Sequence, residues 1–206
     1  MHLYGLIIGI AIIIGIEYFT KNNHSIPKSR ENIFLIGLLL SGLIGARAYH
    51  VVDQWSYYSQ HLSQILSTWN GGLGIYGATI AMAIYIFLFA HISKISLLKI
   101  LDTITPILPL CQAVGRFGNF VNHEIPTWWL EASLNLVLFF ILKSKKLINY
   151  SSTSLYLIGY GFIRFLMEFF RNDTWQINGF KIAQVISLIF IVFGLFLLKK
   201  SRRVRQ

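Results

Sequence analysis

Apolar residues run along this chain in long unbroken stretches, not in stripes. Polar residues gather in the short gaps between them. Runs of this kind read as membrane-spanning helices, because every backbone group inside hydrocarbon must be satisfied within its own segment. The pattern predicts seven such segments, at about 3–19, 33–52, 71–92, 100–121, 127–143, 153–170 and 180–198. The expected fold is therefore all-α, a single polytopic membrane domain with seven transmembrane helices over residues 1–206. Segment 53–70 (Tyr57, Tyr58, His61, Leu62, Ile65, Leu66) is expected outside, as an amphipathic helix or an aromatic loop. Residues 199–206 form a basic tail.

Charge gives the pattern a direction. Only 13% of the 206 residues are charged, about half the share in a soluble domain. The formal net charge of +10 does not point to nucleic acid. Thirteen of the eighteen Lys and Arg sit in four flanks: Lys21, Lys28 and Arg30; Lys94 and Lys99; Lys143, Lys145 and Lys146; Lys199, Lys200, Arg202, Arg203 and Arg205. The alternate connections carry only Arg171. The positive-inside rule then puts the amino terminus outside and the carboxyl terminus in the cytoplasm. The amino terminus has neither a basic n-region nor a small-x-small cleavage site, so it reads as a retained helix. Cys111, the only cysteine, reads as a small buried hydrophobe.

Two residues do not belong in lipid. Arg116 and Arg164 lie inside apolar segments and cannot shed their protons. Each costs roughly 2.5–3.5 kcal/mol or more in a hydrocarbon-embedded helix unless it faces a partner or a wet cavity. The deduced sidedness places Arg116, Asn119, Asn122, Arg47, Tyr4, Tyr76, Glu131, Tyr160, Arg164 and Glu168 in the outer half of their segments. Asp102 and Glu17 fall on the inner side. Tyr160, Arg164, Glu168 and Arg171 share one helix face. Two arginines in one layer suit an anionic ligand better than one shared carboxylate. Pro106 and Pro109 are expected to distort the fourth segment, and Gly71, Gly72 and Gly74 to make a permissive backbone before Tyr76. His123 reads either as a proton carrier beside Glu124 or as an ordinary surface histidine. There is no metal-ligand spacing, phosphate loop or serine elbow, and no metal or cofactor is expected.

Several motifs are those of a known family. They are Tyr4-Gly5, Gly45-Ala46-Arg47, Gly71-Gly72-Leu73 through Gly77, Asp102 through Pro109, and Gly115-Arg116-x-Gly118-Asn119-Phe120-x-Asn122-x-Glu124. Gly159-Tyr160-Gly161-x-x-Arg164-Phe165, Glu168-Phe169-x-Arg171 and Gln184 complete the set. With them the chain resembles prolipoprotein diacylglyceryl transferases along most of its length. The resemblance implies transfer of the diacylglyceryl group of phosphatidylglycerol to the thiol of a lipobox cysteine in a secreted precursor, with release of glycerol phosphate. It implies a place in the bacterial cytoplasmic (inner) membrane. It also implies catalytic or binding roles for Arg116, Asn119, Glu124 and Arg164, and for Tyr4 and Tyr160. Around these, Tyr76 joins the catalytic candidates. Asn122, Arg47, Gly71, Gly72 and Glu168 join the substrate-binding ones.

The chain departs from the family pattern in three places. Tyr76 stands where relatives often carry a histidine proposed as base. Thr127 stands at a usual glycine. The external insertion before Pro126 is nearly absent. The proton acceptor stays open among Tyr76, His123, Glu124 and a substrate phosphate oxygen. Two other readings compete: a non-catalytic phospholipid-binding paralogue, and a small-anion transporter. The second requires polar residues to continue to the inner face, and they thin out below Cys111.

Overall fold

The computed structural model describes residues 2–123, 125–144, 150–171, 176–177 and 180–204. Glu124, a site candidate, lies outside them. Among the described residues nine α-helices follow one another: α1 (His2–Asn22), α2 (Lys28–Asp53), α3 (Trp55–Tyr58), α4 (Ile75–Ser93), α5 (Leu97–Ile104), α6 (Leu108–Val121), α7 (Trp128–Lys143), α8 (Ser152–Met167) and α9 (Ile182–Val204). A two-residue antiparallel ribbon, β1 (Gln176–Ile177) with β2 (Phe180–Lys181), precedes α9. Each of the seven apolar segments contains helix, so the all-α architecture stands. By length and composition α1, α2, α4 and α9 can cross a membrane, and the bent pair α5–α6 makes a fifth span if counted as one. α7 and α8, at 16 residues each, extend about 24 Å, short of the roughly 30 Å hydrocarbon core. The pair α5–α6 bends by 49°. Pro106 falls at the break and Pro109 in the first turn of α6, where a missing N–H costs nothing.

The chain forms two compact units, residues 24–100 and residues 1–23 with 101–206. In the first, α2 packs on α4. Gly45 and Gly77 face each other so closely that a Cβ on either would strike the other's backbone carbonyl, the small-residue crossing common in membranes. Above it, Phe34 is fully buried and meets Phe89 edge-on at 4.9 Å between centroids. The Tyr85 hydroxyl donates to the Ile33 carbonyl at 3.0 Å. Residues 53–74 do not form a continuous amphipathic helix. They break into α3 and two 3-10 turns, Leu62–Gln64 and Thr68–Asn70.

In the second unit α1 packs on α6, α6 on α7, α7 on α8 and α8 on α9. Leu138, Leu142, Tyr156, Ile163 and Met167 form a buried core. A Cβ at Gly161 would lie 2.9 Å from the Ser187 carbonyl, and one at Gly194 would lie 2.9 Å from that of Ser154. These glycines set how closely α8 and α9 approach. Large apolar side chains such as Ile13, Ile189 and Phe196 remain exposed, as helices facing lipid require.

Candidate active site: two arginines on one buried carboxylate

Glu131 occupies the first turn of α7 and is fully buried. Its backbone carbonyl accepts from Asn135 Nδ2 at 2.9 Å, which ties the first turn of α7 to the second. Its Oε1 takes a hydrogen bond from Arg116 Nη2 of α6 at 2.5 Å, and Arg164 Nη1 of α8 lies 3.5 Å from the same oxygen. At that distance the second contact is an ion pair, not a hydrogen bond. Arg164 Nη2 also lies 3.4 Å from Oε2 of Glu168, another fully buried carboxylate, four residues on at the C-cap of α8. Two guanidiniums and two carboxylates thus close a formally neutral cluster. The sequence expectation weighed an anionic ligand against a shared carboxylate, and Glu131 is such a carboxylate for both arginines. Burying either charge alone would be prohibitive, and the pairing makes both tolerable.

The cluster keeps hydrogen-bonding capacity in reserve. Arg116 Nε, Glu131 Oε2 and Glu168 Oε1 are buried and lack a hydrogen-bond partner among the described residues. Such atoms usually mark a strained or functional site.

Arg116 points its other prong, Nη1, to Asn119 Oδ1 at 2.9 Å. This turns the Asn119 amide nitrogen away from the guanidinium. Asn119 lines a cavity of about 160 Å³ with Phe120, His123, Ile125, Pro126 and Trp128. One residue back, Gly118 makes room for Tyr4, since a Cβ there would sit 2.7 Å from the Tyr4 ring. On α8, Tyr160 stacks on buried Tyr156 with centroids 5.4 Å apart and planes within 5°. The Tyr156 hydroxyl accepts from Gln112 Nε2 at 2.8 Å. Tyr4, Arg116, Asn119, Tyr160, Arg164 and Glu168 therefore belong to one unit. Asn122 is exposed at the C-cap of α6.

The family model that matches residues 1–199 is that of the prolipoprotein diacylglyceryl transferases. The chain belongs to this family. It is 30% identical to the phosphatidylglycerol–prolipoprotein diacylglyceryl transferase of Streptococcus uberis over 98% of this chain and 92% of that protein. It is 32% identical to the protein of the same name from Finegoldia magna, over 97% and 91%.

The remaining candidates of this diacylglyceryl transferase family member lie in the other unit. Arg47, 7% exposed, donates from Nε to the Ile65 carbonyl at 2.7 Å and from Nη2 to that of Gln64 at 2.6 Å. Its Nη1 reaches the carbonyls of Gly71 and Gly72 at 2.8 and 3.0 Å. The guanidinium also lies over the Tyr58 ring at 5.1 Å. Arg47 thus holds the α2–α4 connection in shape. Gly71 and Gly72 have φ of 88° and 72°, and a Cβ on Gly72 would sit 2.6 Å from Arg47 Nη1. Tyr76, in the first turn of α4, is 66% exposed, 6.0 Å from the Tyr49 ring.

Sequence reading gave no role to three residues. Glu131 was located by depth, but its double duty needs α6, α7 and α8 together. Asn135 braces it. Asp102 Oδ1 accepts from Ser151 Oγ at 2.7 Å, Thr153 N at 2.8 Å and Thr153 Oγ1 at 2.7 Å. It therefore caps the start of α8 from a distant part of the chain. An acidic residue inside an apolar run was the only available signal for Glu131 and Asp102.

Proposed function

We propose that this chain transfers the diacylglyceryl group of phosphatidylglycerol to the lipobox cysteine of a prolipoprotein, within the bacterial cytoplasmic membrane. The observation that carries the reading is the pair of half-buried arginines sharing the buried Glu131, with Asn119 of the family signature beside them. The thiolate is the attacking species. Its sulfur bonds to the glyceryl carbon that carries the phosphate ester. The carbon–oxygen bond breaks, its electron pair goes to the phosphate oxygen, and glycerol phosphate leaves.

Charge grows on that phosphate, and fixed cations aimed at it in a water-poor site lower the barrier. Arg116 and Arg164 supply these cations, and their forked geometry suits a phosphate. Phosphate binding draws guanidinium donors from Glu131 and Glu168, whose carboxylates keep the arginines positioned between turnovers. Tyr160 and the Asn119 amide nitrogen add hydrogen bonds. Tyr4, seated on Gly118, forms part of the wall. Glu124, next in the signature, binds the glycerol head or orients an arginine. In this reading Arg47, Gly71 and Gly72 hold the shape of the α2–α4 connection. The helices form seven spans with the amino terminus outside, so the arginine level opens to the outer leaflet.

The test is gel-shift lipidation of a lipobox precursor by the purified chain in phosphatidylglycerol vesicles. Modified precursor is expected with the native chain and none with Arg116→Ala or Arg164→Ala. Tight phospholipid binding without product selects instead the non-catalytic paralogue, a reading favoured by tyrosine at position 76.

A further inference from the structure

His123 has a backbone φ of 53°, a left-handed conformation that costs a side-chain-bearing residue about 1 kcal/mol and that glycine adopts freely. It follows the C-cap of α6 and lines the Asn119 cavity with Phe120, Ile125, Pro126 and Trp128. That wall has one imidazole and one amide, and its other named side chains are apolar. Asn119 connects it directly to Arg116 through the 2.9 Å hydrogen bond. Among the described residues, the cavity lining holds no charged side chain besides the imidazole, and Arg116 is linked to it through Asn119. The other unit offers at its own candidate position only Tyr76, and a phenol is ordinarily a poor base at neutral pH.

We propose that His123 is the proton acceptor of this chain, working from the mouth of the Asn119 cavity. This rests on the transferase reading above. Imidazole ordinarily titrates near neutral pH, which suits it to remove a thiol proton at working pH. A neutral His123 ring nitrogen takes the proton from the lipobox thiol. The thiolate sulfur bonds to the glyceryl carbon, the phosphate ester bond breaks, and its electron pair leaves with the glycerol phosphate. The imidazolium then returns the proton to water. Arg116 meets the departing phosphate, and Asn119, hydrogen-bonded to Arg116, lines the same cavity as His123, so the base and the anion site flank Asn119 at the end of α6.

The experiment compares the native chain with His123→Gly and His123→Asn in phosphatidylglycerol vesicles, using a lipobox precursor. Glycine suits the left-handed backbone and asparagine tolerates it, so both variants are expected to keep native thermal stability. Transfer is expected to fall roughly 100-fold or more. Added imidazole is expected to restore part of it in His123→Gly, in proportion to the free-base concentration. Two results overturn the proposal while leaving the transferase reading intact: variants that transfer within about twofold of native, a gap far below that expected for a lost base, and variants that lose transfer with no response to imidazole. A native chain that transfers nothing overturns both.

Discussion

Glu131 holds Arg116 and Arg164 at once, so its removal leaves Arg116 without a carboxylate and Arg164 with Glu168 alone. Glu131→Gln is expected to lower stability by about 3–5 kcal/mol, read as thermal unfolding in detergent, and to reduce lipidation in parallel. A variant as stable as native would mean that the arginines find compensation elsewhere. Asn135→Ala, which removes only the brace on the Glu131 carbonyl, is expected to cost about 1 kcal/mol. Gly72 tests the other unit. Its φ of 72° and the 2.6 Å approach of Arg47 Nη1 leave no room for a methyl group. Gly72→Ala should therefore displace the guanidinium and loosen the connection from Gln64 to Gly72. Faster proteolysis there, with α2 and α4 intact, is the expected readout. The resemblance had pointed to Arg47 as a binding residue, and its carbonyl partners could not be read from one dimension. They lie 17 to 25 residues further along the chain.

Elements carry the site at fixed ends. α8 brings Tyr160 and Arg164 onto one face, and its C-cap Glu168 continues the spacing of four. Asp102 fixes where that helix begins, through three hydrogen bonds. Asp102→Ala is expected to fray the first turn of α8 at a cost of about 1–2 kcal/mol, and hydrogen exchange at Thr153 and Ser154 would report it. Unchanged protection there would remove Asp102 from the capping role. The break at Pro106 and the helical face of α8 were legible in the sequence, since both are local rules of backbone and periodicity. The shape of residues 53–74 was not. Apolar spacing over 53–69 suited a helix, but Arg47 takes up the carbonyls of Ile65 and Gln64 and the chain turns instead of continuing.

For the whole molecule, charge asymmetry makes a prediction that helix length alone cannot. In a Cys111→Ala background, a cysteine placed before Leu3 should react with a membrane-impermeant thiol reagent in intact cells. One placed after Lys200 should react only once the cells are opened. The reverse pattern would overturn the deduced sidedness. The sequence by itself determined the helical class, the family signature and the identity of the two cations set in apolar segments. Those follow from hydropathy, periodicity and residue type, which are properties of neighbours along the chain. Only the tertiary structure decided what the cations face. Arg116, Glu131 and Arg164 meet because α6, α7 and α8 pack side by side, and the short-range, strongly distance-dependent pairing of buried charges is set by that packing.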